Sequence, residues 1–290
     1  MDSFDGIVLK DRFSRPGPCK KSRLMAGVMN ALYPSRCRSC GELFDPCARL
    51  QDANEKGTDG TRWIERTFDR MMRPWVCLTC RTELVPIGSP QCTICGVPFD
   101  GVGVDHQCGR CLEKRPIFDQ ARSVGRYAGS LRKLVHGLKY QRRVELARPL
   151  GRLLLSVRRR FGRIGHYDLI IPVPLHSKRM RQRGFNQAAL LTSSWYPSSS
   201  QGDAEVSLPP MVTDILKRVR HTPSLTGLNR KERRTVIRGA FDVTEPGRIK
   251  DRAILLIDDV CTTGATADAC AKVLKKHRAR RVDLLTLGRA

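Results

Sequence analysis

The sequence predicts an α/β protein, a parallel sheet with helices on both faces, preceded by a small module built on paired cysteines. Three observations carry this. The last forty residues contain an apolar strand at 253–257, a loop, a helix at about 265–276 and a second apolar strand at 282–287, the strand–helix–strand order that parallel pairing requires. An earlier apolar run, DLIIPVP at 168–174, reads as another buried strand entering a proline-stiffened loop. Ahead of both stand four C-x-x-C pairs. A chain of 290 residues exceeds the usual single-core size, so a main domain with a smaller module is expected.

In chain order, residues 1–33 form an arm without periodicity followed by a short helix in which Leu24, Met25, Val28, Met29 and Leu32 recur at helical spacing. Residues 34–115 hold the pairs Cys37 and Cys40, Cys77 and Cys80, Cys92 and Cys95, and Cys108 and Cys111. The last four read C-x2-C-x12-C-x2-C, two knuckles joined by a hairpin-length spacer, as in a four-thiolate zinc site. The first two pairs are split by a polar insertion containing Cys47, Asp52, Asn54, Gly57 and Gly60. Sequential pairing gives two zinc ribbons and is favoured; interleaved pairing would give a cross-braced module. Either way the zinc is structural, because an all-thiolate tetrahedral site leaves no open position. Cys19, Cys47, Cys261 and Cys270 remain as small fillers or surface thiols.

Residues 116–290 form the main domain. A strand is expected at 123–127, a helix carrying Leu131, Leu134, Val135 and Leu138, and another carrying Leu146, Leu150, Leu153, Leu154 and Val157. A helix begins near Ala188, 193–210 is a Ser/Pro/Gly-rich connection, and 217–243 is a further basic segment.

The formal net charge is +25, from 53 Lys and Arg against 28 Asp and Glu. Residues 132–163 alone hold eleven Arg or Lys and one acid, Glu145. Such an excess favours polyanionic partners, while an aromatic content of 6% argues against an extensive base-stacking platform. There is no signal-peptide pattern and no apolar run near the ~18 residues of a membrane span, so a cytoplasmic protein is expected. Twelve cysteines in a reducing compartment point to metal ligation.

Against this basic background, ILLIDDVCTTGAT (254–266) sets two carboxylates at a strand end and a Thr/Gly turn at a helix start. Unpaired N–H groups and the positive dipole end of a helix attract a phosphate, Gly264 permits close backbone approach, and threonine hydroxyls add donors. A phosphate alone would be repelled by Asp258 and Asp259, so the ligand must also bring hydroxyl donors or a divalent cation. A sugar phosphate does both, directly or through Mg²⁺.

The stretch resembles the signature loop of phosphoribosyltransferases, which bind 5-phosphoribosyl-1-pyrophosphate. With SLRKLVHGLKYQ (130–141), VPLHSKRMRQRGFNQA (173–188), RVRHTPSLTGLNRKERR (218–234), RGAF (238–241) and the cysteine pairs, the chain resembles the ComF family of competence-associated proteins from about Leu24 to the end. The resemblance implies a zinc-ribbon front on a type I phosphoribosyltransferase-like domain. It makes Asp258 and Asp259 the ribose-binding and catalytic acids, and Val260, Cys261, Thr262, Thr263, Gly264, Ala265 and Thr266 the phosphate loop. Pro174, Leu175, His176, Ser177, Lys178 and Arg179 take the place of the pyrophosphate loop, Arg183 and Asn186 lie in the RGFNQ motif, and 217–238 matches a mobile closing loop. It also implies Mg²⁺ with the ligand, single-stranded DNA as a partner, and a competence helicase as a possible protein partner. The chain departs from the family pattern at Leu225 and Val236, both in the closing loop.

Two functions follow as expectations. One is a DNA-uptake protein that binds phosphoribosyl pyrophosphate and tracks single-stranded DNA with its basic surface. The other is an active phosphoribosyltransferase that passes the sugar to a nitrogen nucleophile and releases pyrophosphate. No residue pattern names that nucleophile.

Overall fold

The structure, a computed structural model, describes residues 35–48, 61–160, 167–196, 208–222 and 229–290. The expected arm and helix within 1–33, Cys19, residues 49–60 of the polar insertion, most of the Ser/Pro/Gly-rich connection and Leu225 lie outside these residues. Two short strands, β1 (Ser35–Arg36) and β2 (Leu43–Phe44), pair antiparallel. Three helices follow: α1 (Arg62–Met72), α2 (Leu78–Thr82) and α3 (Gly109–Glu113).

The main sheet then begins with β3 (Gln120–Arg126), succeeded by α4 (Gly129–Tyr140), α5 (Ala147–Arg160) and β4 (Leu169–Pro172). After α6 (Ser177–Arg183) and α7 (Gln187–Ser193), strands β5 (Leu216–Arg218) and β6 (Phe241–Val243) make a small antiparallel pair with α8 (Arg230–Ile237) between them. The chain closes with β7 (Ala253–Cys261), α9 (Ala265–Lys276) and β8 (Arg281–Arg289).

The four long strands form one all-parallel sheet in the order β3-β8-β7-β4. Strand alternation divides its side chains between two cores. Ile254 and Leu256 of β7 pack with Ala267, Cys270, Ala271 and Leu274 of α9 and with β5 and β6. Ala253, Leu255 and Ile257 face the other way, onto α4, α5 and α7. Helices therefore cover both faces, as the continuous apolar run at the start of β7, Ala253 to Ile257, requires.

The antiparallel approach of residues 85–87 to β3 (Ile87 N–H to Val124 O, 3.1 Å; Arg126 N–H to Val85 O, 2.8 Å) ties the cysteine region to the sheet edge. Within the insertion, α1 buries Ile64, Phe68 and Met72, spaced four apart, in the same core as α5. Asp69 of α1 is buried and anchors Arg73 (2.5 Å) and Arg81 (3.0 Å). Packing thus crosses the boundary expected near residue 115.

Three expectations are corrected. The strand expected at 253–257 runs on to Cys261, because β8 continues beside it and pairs Val260 with Gly288 and Cys261 with Arg289. Both acids therefore lie inside the strand. Ser177, Lys178 and Arg179, expected in the turn that takes the place of the pyrophosphate loop, instead open helix α6, capped by His176, whose Nδ1 accepts from Lys178 N–H at 3.2 Å. The described parts of the expected closing loop, 217–238, include strand β5 and helix α8, the latter closed by a capping box between Asn229 and Glu232, and Val236 is helical.

Candidate functional site

A cleft of about 640 Å³ opens at the carboxyl ends of β4 and β7, where ligands of parallel α/β sheets bind. Asp258, Asp259, Val260, Thr262 and Thr266 line one side; Pro174, Leu175 and Arg179 line another. With Arg183 of the RGFNQ motif, the structure brings together nine of the residues singled out in the sequence. His176, Ser177 and Lys178 do not line the cleft. Cys261 is buried, and Thr263, Gly264 and Ala265 shape a small adjoining hollow that also includes Asp258, Thr262 and Thr266. Gly264 adopts φ +79°, and a Cβ there would stand 3.3 Å from the Phe118 ring, so glycine suits this turn on two counts.

Because strand side chains alternate, the adjacent acids address different neighbours. Asp259 is buried on the α4 side, where its Oδ1 lies 2.7 Å from Lys139 Nζ, while its Oδ2 has no hydrogen-bond partner among the described residues. Burial disfavours a charged amine, yet the Asp259 charge outweighs it and holds Lys139 above the usual lysine range. Asp258 is half-buried, and its Oδ1 accepts the Asp259 N–H at 2.8 Å. Burial first, then the neighbouring Asp259 charge, push its carboxyl up to about 7. One acid is thus neutralised internally, and the other sits near its titration point at the cleft wall.

The remaining wall is cationic. Arg132, Arg179, Arg183, Arg218 and Arg233 join Lys139 there. Arg233 donates to Thr262 Oγ1 (2.5 Å), joining α8 to the Thr/Gly turn. Arg218 and Arg179 both reach Thr222, at its Oγ1 (2.5 Å) and its carbonyl (3.2 Å). In the RGFNQ motif, Arg183 donates to Gln187 Oε1 (2.5 Å) and lies over the Tyr140 ring, while Asn186 caps α7 and donates to Val173 O (3.0 Å). That motif holds the loop after β4 in place.

The cysteine pairs gather sequentially. The thiols of Cys37, Cys40, Cys77 and Cys80 lie within 4.8 Å of one another, and so do those of Cys92, Cys95, Cys108 and Cys111. A tetrahedron with zinc–sulfur arms of about 2.3 Å has edges of about 3.8 Å; Cys40–Cys77 is 3.8 Å and Cys95–Cys108 is 3.7 Å. Burial raises thiol pKa values, but backbone N–H donors outweigh it at Cys37 and Cys92, brought down to about 7 and about 6. Both clusters therefore fit one tetrahedral ion each. Cys47, expected as a leftover thiol or filler, is disulfide-bonded, whereas Cys261 and Cys270 are buried free thiols.

The chain is 33% identical over 219 residues to Competence protein F of Haemophilus influenzae, covering 74% of this chain and 90% of the relative. It is 34% identical over 235 residues to DNA utilization protein YhgH of Escherichia coli O157:H7, covering 74% and 97%. The chain belongs to the ComF family. Competence protein ComFC of Bacillus subtilis matches at 27% identity over 225 residues, covering 74% and 84%. No family model matches the chain.

Sequence reasoning missed the cleft roles of Lys139, Arg218 and Arg233. All three stand in ComF-like stretches, and Lys139 closes SLRKLVHGLK, but a lysine at a helix end reads as an ordinary solvated charge. Only the sheet, by setting α4 beside β7, turns it into a counter-ion. Among the described residues no helix is long and apolar enough to cross a membrane.

Proposed function

We propose that this ComF-family protein serves DNA utilization or competence, and that its cleft binds phosphoribosyl pyrophosphate. The observation that carries the ligand assignment is the meeting, in one 640 Å³ cleft, of the two acids of β7, the amino-terminal turn of α9 and an arc of arginines. The ligand's 5′-phosphate takes the N–H groups of the Thr263–Thr266 turn, its ribose hydroxyls donate to Asp258 and Asp259, and its pyrophosphate, with Mg²⁺, is met by Arg179, Arg183 and Arg218. The cysteine clusters carry two structural zinc ions.

Single-stranded DNA is the macromolecular partner in this reading. A second groove of about 450 Å³, bordered by Arg38, Arg132, Lys133, His136 and Arg143, shares Arg132 and His136 with the cleft. A continuous basic track of this kind suits a phosphate backbone. The names of the relatives, competence and DNA utilization, support the same partner.

The same cleft supports a second reading, transfer of phosphoribose. A nitrogen nucleophile would attack the anomeric carbon as its bond to the pyrophosphate oxygen breaks, with the arginines and Mg²⁺ stabilising the leaving charge. Calorimetric titration with phosphoribosyl pyrophosphate and Mg²⁺, with and without single-stranded DNA, tests the binding assignment. Saturable 1:1 binding that Asp258→Asn/Asp259→Asn abolishes is expected; binding unaltered by the double substitution would exclude this pocket. Pyrophosphate release only in the presence of an amine or base acceptor would favour the transferase.

A further inference from the structure

The second cysteine cluster and the Thr/Gly turn meet at one side chain. Arg289 ends β8 and is 5% exposed. Its Nη1 donates to the carbonyls of Cys261 (2.9 Å), Thr262 and Ala290 (2.6 Å), so it grips the backbone that leads from β7 into the turn. Its Nε donates to the Cys95 carbonyl (3.2 Å), and its Nη2 stands 4.0 Å from the Cys95 sulfur. No Asp or Glu pairs with Arg289 among the described residues.

A second strut runs parallel to it. The segment just after Cys111 reaches α9, where Ile117 N–H donates to Asp268 Oδ1 at 2.8 Å, and Phe118 lies against Gly264. Cluster and turn also share a small hollow bordered by Cys95, Cys111, Phe118, Cys261, Gly264 and Arg289.

A buried guanidinium is stable only where negative charge or aligned dipoles compensate it. Carbonyls supply the dipoles here. A zinc ion on four thiolates supplies the charge, since a dication on four anionic sulfurs leaves about two negative charges. Arg122, also buried, donates to the carbonyls of Cys92 (3.4 Å) and Thr93 (3.2 Å), so a second cation approaches the same cluster.

We propose that Arg289 is a positioning residue for the sugar-phosphate site, coupling metal occupancy of the Cys92–Cys111 cluster to the ligand affinity of the Cys261–Thr266 turn. This rests on the phosphoribosyl reading above. The ion and the cluster carbonyl fix one end of the guanidinium, and the other end fixes the turn that presents its N–H groups to phosphate. Linkage makes the effect reciprocal: the ligand must raise the metal affinity of this cluster by the factor by which the metal strengthens ligand binding, on the order of tenfold for a coupling of ordinary size. No described contact runs from the Cys37–Cys80 cluster to the turn, so that cluster serves as an internal control.

The test uses the full zinc-loaded chain. Zinc is titrated to equilibrium against graded concentrations of a chromogenic chelator, with and without saturating phosphoribosyl pyrophosphate and Mg²⁺. The exposed thiols are pulse-alkylated at each chelator concentration and located by mass spectrometry, so each cluster is followed separately, and ligand affinity is measured on the same samples. In the wild type, ligand should lower about tenfold the free zinc concentration at which Cys92, Cys95, Cys108 and Cys111 are half exposed and leave that of Cys37, Cys40, Cys77 and Cys80 unchanged. In Arg289→Met that protection should vanish while weaker ligand binding persists; Arg289→Lys, keeping the charge with fewer donors, should be intermediate.

Ligand binding without protection in the wild type overturns the coupling and leaves the phosphoribosyl reading standing. Absence of ligand binding in zinc-loaded wild type overturns both. Equal protection in wild type and Arg289→Met removes Arg289 from the role. Should Arg289→Met fail to fold, the comparison with Arg289→Lys decides: reduced protection supports the proposal, and undiminished protection overturns it.

Discussion

The raised Asp258 carboxyl makes ligand affinity depend on pH in a way that can be worked out. With its pKa at about 7, Asp258 is ionised to about one tenth at one unit below that value and about nine tenths at one unit above. Only the carboxylate offers acceptor lone pairs on both oxygens, Oδ1 already taking the Asp259 N–H, without an O–H in the way of the ribose hydroxyls. Affinity for phosphoribosyl pyrophosphate should therefore rise about tenfold, roughly 1.4 kcal/mol, between about pH 6 and pH 8 and then level off. The ligand's own phosphates titrate near pH 6, so the quantity to compare is the wild-type slope minus that of Asp258→Asn. Calorimetry at constant ionic strength in buffers of different ionisation enthalpy measures both slopes and the accompanying proton release. Folding stability should show the opposite sign. The folded state holds a proton that the unfolded chain has released between about pH 4 and pH 7, so this residue's contribution to stability falls as pH rises through that window. Identical slopes for wild type and Asp258→Asn, in binding and in melting, would refute the proposed environment of Asp258.

Other substitutions probe separate parts of the structure. Lys139→Met leaves the buried Asp259 carboxylate without its cation and should cost ~3–5 kcal/mol, read as a lower urea midpoint. Gly264→Ala places a side chain at φ +79° against the Phe118 ring; a loss of ~1–2 kcal/mol is expected, with ligand affinity falling while circular dichroism stays native. A Cβ on Gly151 would collide with the Leu191 carbonyl and Ser194 Oγ where α5 crosses α7, so Gly151→Ala should reduce stability by more than about 3 kcal/mol in chemical denaturation. Metal analysis should find two zinc ions per chain, and the loss of either on Cys→Ser substitution should lower the melting temperature without changing the net content of the other cluster.

The parallel sheet was legible because β4 and the first five residues of β7 are apolar and β8 is largely so, and helix α9, expected at about 265–276, spans Ala265–Lys276. Spacing favoured sequential gathering of the cysteines but left interleaved pairing open, and the tertiary arrangement shows the sequential one. The end of β7 was not legible, because Asp258 and Asp259 are poor strand formers that the neighbouring β8 nonetheless holds in register. Helix α1 was also missed: Ile64, Phe68 and Met72 give a clear four-residue spacing, but WIERTFDRMM sits in a segment whose first half is polar. The cleft's acids and turn could be named from one contiguous motif, whereas its cations come from α4, α6, β5 and α8, and only the tertiary arrangement converges them.

A crystal structure of the zinc-loaded chain with phosphoribosyl pyrophosphate and Mg²⁺ tests the central assignment most directly. Density for the 5′-phosphate at the Thr263–Thr266 turn, with ribose hydroxyls on Asp258 and Asp259, is the predicted result. A phosphate lodged instead among Arg38, Arg132 and Arg143, with the acid pair untouched, would contradict it.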